Sequence, residues 1–230
     1  MLELILFSLS IIFVYLLFFY WRYNKSSYKH FSDKNFLIIR FSVGLFGEFL
    51  TYRKLEKKYS DMKLLPNVYI NKKDGETTEI DLIGIHKTGI YVFESKNYGG
   101  WIFGDGKRKN WMQTFKTGQK NSFYNPVWQN HGHIKALEDY LNLDEEYFKS
   151  IIVFSKRCKI KKLNNIDKGV VVLRRPLLII KTKKFIRKNE TILSDKEINK
   201  IYEKLIKGVN VNENIKEKHI NDIKNKINRS

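Results

Sequence analysis

The chain has 230 residues, 43% of them hydrophobic, with 43 lysines and arginines against 24 acids and a net charge of +19. That length suits one domain with a core plus accessory segments, and the single cysteine, Cys158, excludes an internal disulfide and a cysteine-built zinc site. The charge points to a polyanion, either nucleic acid or an anionic membrane surface, and a lysine content spread along the whole chain does not choose between them.

The first element is LILFSLSIIFVYLLFFYW, from Leu4 to Trp21, eighteen residues without a formal charge. It is long enough to span a bilayer core, and Tyr20, Trp21 and Tyr23 offer anchoring at one interface. Glu3 at the start and the lack of an A-x-A pattern argue against a cleaved signal. Arg22, Lys25 and Lys29 follow the run, so the positive-inside rule places the N-terminus outside and the rest in the cytoplasm. The expectation is a single-pass cell-membrane protein held through residues 4–21, with an anchor at 1–22 and a polar juxtamembrane linker at 23–42.

From Val43 the period becomes helical, with Leu45, Phe49, Tyr52, Leu55 and Tyr59 on one side and Glu48 on the shoulder of that face. VYIN (68–71) predicts a strand that turns at Asp74-Gly75, followed by strands over Thr78–His86 and Ile90–Lys96 joined by a KTG turn. GGWIFGDGKRKNW predicts a further hairpin with a basic tip at Lys107, Arg108 and Lys109. Asn125-Pro126 reads as an N-cap with proline at the first helical position, opening a helix to Leu141. IIVF (151–154) and VVVL (170–173) predict strands covered on both faces, and Ser194 to Glu197 is a capping box. A C-terminal extension at 156–207 with a strand and a helix, holding LLII and a basic stretch after Pro176, and a polar basic tail at 208–230 complete the chain. This order predicts an α/β fold with a mixed sheet.

The strands carry charges where apolar residues are expected. Glu94 and Lys96 alternate onto one side of their strand, and the KTG turn places Asp81 opposite position 94, give or take one or two. Such a set fits a cross-strand ion pair or a divalent-cation site, since paired carboxylates repel unless a cation lies between them. Hard oxygen donors select Mg²⁺ or Mn²⁺.

The blocks GLFGE (44–48), EIDLIGIHKTGIYVFESKNYGGWIFG (79–104), NWMQ (110–113) and NPVWQNHGHIKAL (125–137) resemble a NERD, or nuclease-related, domain of the PD-(D/E)XK nuclease superfamily over residues 43–155. The resemblance implies a restriction-endonuclease-like core of helix, antiparallel three-strand meander, helix and further strand. It implies Asp81 and Glu94 as metal ligands, Glu48 as the first-helix acid that completes the metal shell directly or through water, Lys96 as the catalytic lysine, and Gln129 as a polar residue near the site. One departure is Ile80 at the superfamily's nominal proline. His133 shares a helix face with Gln129 and is a substrate-side candidate, as are Lys107, Arg108, Lys109 and Trp111 for backbone tracking and base stacking, with core or hairpin packing the other reading of Trp111. The activity expected is metal-dependent phosphodiester hydrolysis on nucleic acid, DNA rather than RNA, at the cytoplasmic face. The rival is a non-catalytic, membrane-tethered nucleic-acid-binding protein on the same scaffold.

Overall fold

The computed structural model describes residues 1–209 and 211–228. Helices α1 (Leu2–Asn24), α2 (Tyr28–Phe31), α3 (Phe36–Phe41) and α4 (Val43–Glu56) precede a meander of β1 (Lys63–Asn71), β2 (Thr77–His86) and β3 (Gly89–Lys96). Then come β4 (Gly100–Asp105), β5 (Asn110–Thr114), β6 (Lys120–Tyr124), helix α5 (Pro126–Leu141), β7 (Phe148–Phe154), β8 (Cys158–Asn164) and β9 (Val170–Arg174). Helices α6 (Leu178–Lys188), α7 (Asp195–Leu205) and α8 (Glu213–Asn228) follow.

The fold is mixed α/β with two mixed sheets. In the larger, ordered β1-β2-β3-β7-β9, the meander is antiparallel, and β7 and β9 add in parallel. The smaller sheet, β6-β5-β4-β8, is antiparallel except where β8 joins β4. Alternation along β3 sorts its neighbours: Tyr91 and Phe93 pack with Phe49, Tyr52 and Leu55 of α4, whereas Ile90 and Val92 pack with Ile134 and Leu137 of α5 and Ile198 and Leu205 of α7. The central sheet is thus covered on both faces, so its strands read as nearly unbroken apolar runs.

Local chemistry explains most boundaries. Asn125 Oδ1 accepts from Val127 N at 2.9 Å with Pro126 at the first turn, and left-handed Asn142 closes α5. Ser194 and Glu197 complete both halves of the capping box at α7. Three features differ from the sequence expectation. Residues 23–42 do not run as a linker: Tyr23, Tyr28, Phe36 and Ile39 are buried, so α2 and α3 fold onto α4. The basic stretch after Pro176 is an amphipathic helix, α6, with Leu178 and Thr182 buried. The expected tail contains α8, where His219 Nδ1 lies 2.9 Å from Thr77 O and Lys218 Nζ donates to Gly75 O at 2.7 Å.

Helix α1 is long and apolar enough to cross a bilayer, a property that a secretion signal near an N-terminus shares. Its apolar side chains from Leu2 to Val14 are exposed, and only its C-terminal part touches the domain.

Candidate active site

The turn at Lys87-Thr88 fixes the β2/β3 register. Leu82 pairs with Phe93 at the end of the ladder, and Asp81 and Glu94 are the next residues of their strands. Glu94 and Lys96 alternate with Ile90 and Val92 onto the α5 side, and the Asp81 carboxyl lies close enough to both to feel their charges. Asp81 Oδ2 accepts from Ser95 N at 2.7 Å. Glu94, 1% exposed, sits 2.7 Å through Oε1 from Lys96 Nζ, which also donates to Gln129 Oε1 at 2.9 Å. His133, one turn after Gln129, brings Nε2 to 3.2 Å from Glu94 Oε2, within ion-pair distance but without the alignment of a hydrogen bond. Its Nδ1 is 2.9 Å from Thr78 Oγ1. Helix α5 is clamped to the sheet by Asn130 Nδ2, which donates to Val92 O at 3.0 Å and Ser150 Oγ at 2.8 Å.

Glu48 reaches this region from α4. Asn67 Nδ2 donates to Glu48 Oε2 and to Glu79 Oε1, at 3.2 Å each, and Tyr28 OH donates to Asn67 Oδ1 at 3.2 Å. Asn67 occupies the β1 position opposite Asp81 and has a left-handed backbone, φ 50°, which asparagine tolerates better than most residues. It is a polar hub that sequence reading missed. Its signal, an asparagine directly after a proline and before a strand, reads as turn chemistry.

The charges in the cluster are unequal. Burial raises the Glu94 carboxyl, but the ammonium of Lys96 and then His133 outweigh burial and hold it below its ordinary value. Lys96, despite burial, is held above its ordinary value by Glu94 and Asp81. Asp81 is pushed well up, by burial first and then by Glu94 and Glu48. Burial and the Glu79 carboxylate push Glu48 up to about 7 against the hydrogen bond from Asn67. Without a cation, the cluster therefore favours negative charge on Glu94 and disfavours it on Asp81.

This imbalance has a measurable consequence. A carboxyl whose folded pKa exceeds its unfolded value leaves the folded state holding the extra proton, so stability falls as pH rises. For Glu48 the decline begins near the unfolded value of 4.5 and levels off above about 7. Glu48→Gln is expected to remove its share, on the order of 1–3 kcal/mol, from the pH dependence of denaturant unfolding in EDTA. A slope equal to that of the parent would contradict this assignment.

The donor set suits a hard divalent cation held by few protein ligands. Mg²⁺ commonly takes one or two carboxylates and keeps its waters. Asp81 and Glu94 supply two carboxylates, and Glu94 Oε2 is buried with no hydrogen-bond partner. Among the described residues no group of three or more His, Cys, Asp or Glu forms a metal cluster.

The remaining sequence candidates divide. Lys107, Arg108 and Lys109 are exposed at the β4–β5 tip. That loop is fixed from α5: Asn125 Nδ2 donates to Arg108 O at 2.8 Å and Trp128 Nε1 to Gly106 O at 2.7 Å. Trp111 is not a stacking surface. It is 2% exposed, lies parallel to Phe154 with centroids 6.1 Å apart, and donates through Nε1 to Asp105 O at 3.0 Å. Gly104 presses its bare backbone on the indole, where a Cβ would come within 2.6 Å. Trp111→Ala is accordingly expected to cost about 3–5 kcal/mol in denaturant unfolding and to leave oligonucleotide affinity of the folded protein unchanged.

Residues 43–155 match the nuclease-related domain family. An uncharacterized protein of Bacillus anthracis is 35% identical over 186 residues, covering 80% of this chain and 85% of that protein. No solved structure matches the chain.

Proposed function

The chain belongs to the nuclease-related domain family, and from that premise we propose that it is a membrane-anchored, divalent-metal-dependent nuclease that hydrolyses phosphodiester bonds of DNA at the cytoplasmic face. The observation that carries the reading is the convergence of Asp81, Glu94 and Lys96 where the β2/β3 ladder ends, with Gln129 and His133 supplied by α5. Helix α4, the β1–β3 meander, α5 and β7 follow the order of a restriction-endonuclease-like core, which supports the same reading.

In this mechanism Asp81 and Glu94 would hold Mg²⁺ or Mn²⁺, and Glu48 would support them through water. When bound, the ion supplies Lewis acidity toward a phosphate oxygen and lowers the pKa of a water. Lys96 remains an ammonium, and two of its three N–H donors are committed to Glu94 and Gln129. The third is left to orient the attacking water or to meet charge on the scissile phosphate. Gln129 fixes the lysine's direction, and His133 with Thr78 fixes the glutamate's other edge. Lys107, Arg108 and Lys109 track the phosphate backbone, and the exposed pair Tyr124 and Trp128 takes the stacking role that buried Trp111 does not.

The test is cleavage of a panel of DNA and RNA, single- and double-stranded, by the full chain in detergent with Mg²⁺ or Mn²⁺. DNA cleavage that stops in EDTA is expected; intact substrates throughout would overturn the reading. Replacing Lys107, Arg108 and Lys109 with alanine is expected to flatten the log–log salt dependence of duplex binding by up to about 3. An unchanged slope would remove the loop from the interface.

A second reading rests on a specific feature: the Glu94 charge is already answered by Lys96 and His133. A closed ion-pair network of this kind suits a non-catalytic nucleic-acid-binding scaffold. Binding that persists in EDTA with no cut product would select it.

A further inference from the structure

The C-terminal part of α1 leans on the domain. Arg40 Nη2 donates to Tyr15 OH at 3.0 Å, and Phe19 meets Phe46 edge-on with centroids 5.3 Å apart. Beside this seam α3 turns apolar side chains outward, with Leu37 56%, Ile38 50% and Phe41 68% exposed. A groove of about 300 Å³ opens here, its lining including Tyr15, Arg40, Phe41, Lys156, Arg157 and Arg175.

Arg175 sets this groove apart from an ordinary basic surface. It is 6% exposed, its Nε has no hydrogen-bond partner, and its Nη2 makes one long bond, 3.4 Å, to Asn97 Oδ1. No acid stands against it among the described residues; its charged neighbour is Arg157, and burial followed by that repulsion pushes its pKa down to about 10. A buried guanidinium beside a second one is costly unless an anion pairs with them. Ser42, the N-cap of the fourteen-residue helix α4, also lines the groove and adds the partial positive charge of a helix start.

We propose that this groove binds an anionic lipid headgroup, its phosphate held between Arg40, Arg157 and Arg175, and that the lipid seats α3 in the membrane interface. The proposal rests on α1 being inserted in the bilayer. A lipid fits better than a nucleic acid because the rim is apolar and continuous with α1 through Tyr15 and Phe41. The groove also lies on the α4 side of the sheet, where Asn97 Nδ2 donates to Val43 O at 2.5 Å, whereas Lys96 meets Gln129 of α5 on the other.

The full chain in neutral detergent would be titrated with dioctanoyl phosphatidylglycerol, dioctanoyl phosphatidylcholine, inorganic phosphate and a short oligonucleotide, with thermal shift as the readout. Phosphatidylglycerol alone is expected to raise Tm. Arg157→Gln and Arg175→Gln are each expected to weaken that effect about five- to tenfold and to leave cleavage of a soluble oligonucleotide unchanged. Arg157 is exposed, so its variant carries the test if Arg175→Gln does not fold. Equal shifts with phosphatidylcholine or inorganic phosphate, displacement by the oligonucleotide, or undiminished binding by Arg157→Gln would each overturn the site. Flotation with phosphatidylcholine vesicles reads α1 separately. Protein that floats but shows no phosphatidylglycerol preference loses the lipid site alone; protein that does not float loses the membrane reading and the site with it.

Discussion

Asp81→Asn is expected to abolish cleavage while leaving the metal-free protein at least as stable as the parent. The two halves of this result have different causes. Asp81 is under pressure to stay protonated, from burial and from the carboxylates of Glu94 and Glu48, so a neutral amide imitates the form that the fold favours. The asparagine carbonyl can still accept from Ser95 N, the one bond that ties Asp81 Oδ2 to β3. Removing an ionisable group that the fold disfavours as an anion also removes a destabilising contribution at high pH. Cation binding needs the anion, however, and a neutral amide oxygen is a poorer ligand for a hard divalent ion. The expected loss is at least about 10²–10³ in kcat, with Tm in EDTA at pH 8 unchanged or raised. A large fall in Tm together with retained cleavage would show that Asp81 is a structural anion and would remove the metal assignment.

The same physics explains what could be read without coordinates. The nearness of Asp81 to Glu94 was legible because a tight KTG turn leaves little freedom in the pairing of β2 with β3. Helices α5 and α7 were legible because Asn125-Pro126 and Ser194 to Glu197 satisfy orphan backbone donors through local side chains. Asn67 was not legible: its importance comes from Glu48, nineteen positions earlier, and Glu79, twelve positions later, and no local pattern encodes that meeting. Strands β6 and β8 escaped notice because mostly polar strands of a small sheet lack an apolar repeat. For Trp111, an aromatic beside a lysine-rich tip gives the same string whether it stacks on a base or on Phe154; only the arrival of β7 beneath the small sheet decides it. Residues 23–42 read as a linker because their buried aromatics are spaced irregularly, each anchoring a separate short turn of chain onto α4.

Lys96→Met separates the structural and chemical duties of the site in the opposite sense to Asp81→Asn. Glu94 is 1% exposed, and in the parent its charge is tolerated because Lys96 lies 2.7 Å away. Removing the lysine leaves a buried carboxylate with His133 as its remaining close basic partner, and breaking a buried pair from one side costs about 3–5 kcal/mol. For a chain of this size that is a fall in Tm on the order of 10 °C. The pH dependence should invert in sign at Glu94. In the parent its lowered pKa stabilises the fold above the unfolded carboxyl value, and that contribution is lost as pH falls through the folded value. In the variant its pKa rises, so stability falls with increasing pH. Cleavage should drop by about 10²–10³, the scale for losing one charge-stabilising donor. Two further variants tie the effects to their causes. Adding Glu94→Gln to Lys96→Met is expected to restore most of the lost Tm but none of the activity. Lys96→Arg keeps the cation, and with it most of the stability, but replaces a compact ammonium with a planar fork that cannot serve Glu94, Gln129 and a water from one nitrogen, so activity remains low. If Lys96→Met matched the parent in both Tm and its pH slope, the 2.7 Å contact would hold no net charge compensation, and the placement of negative charge on Glu94 would have to be abandoned.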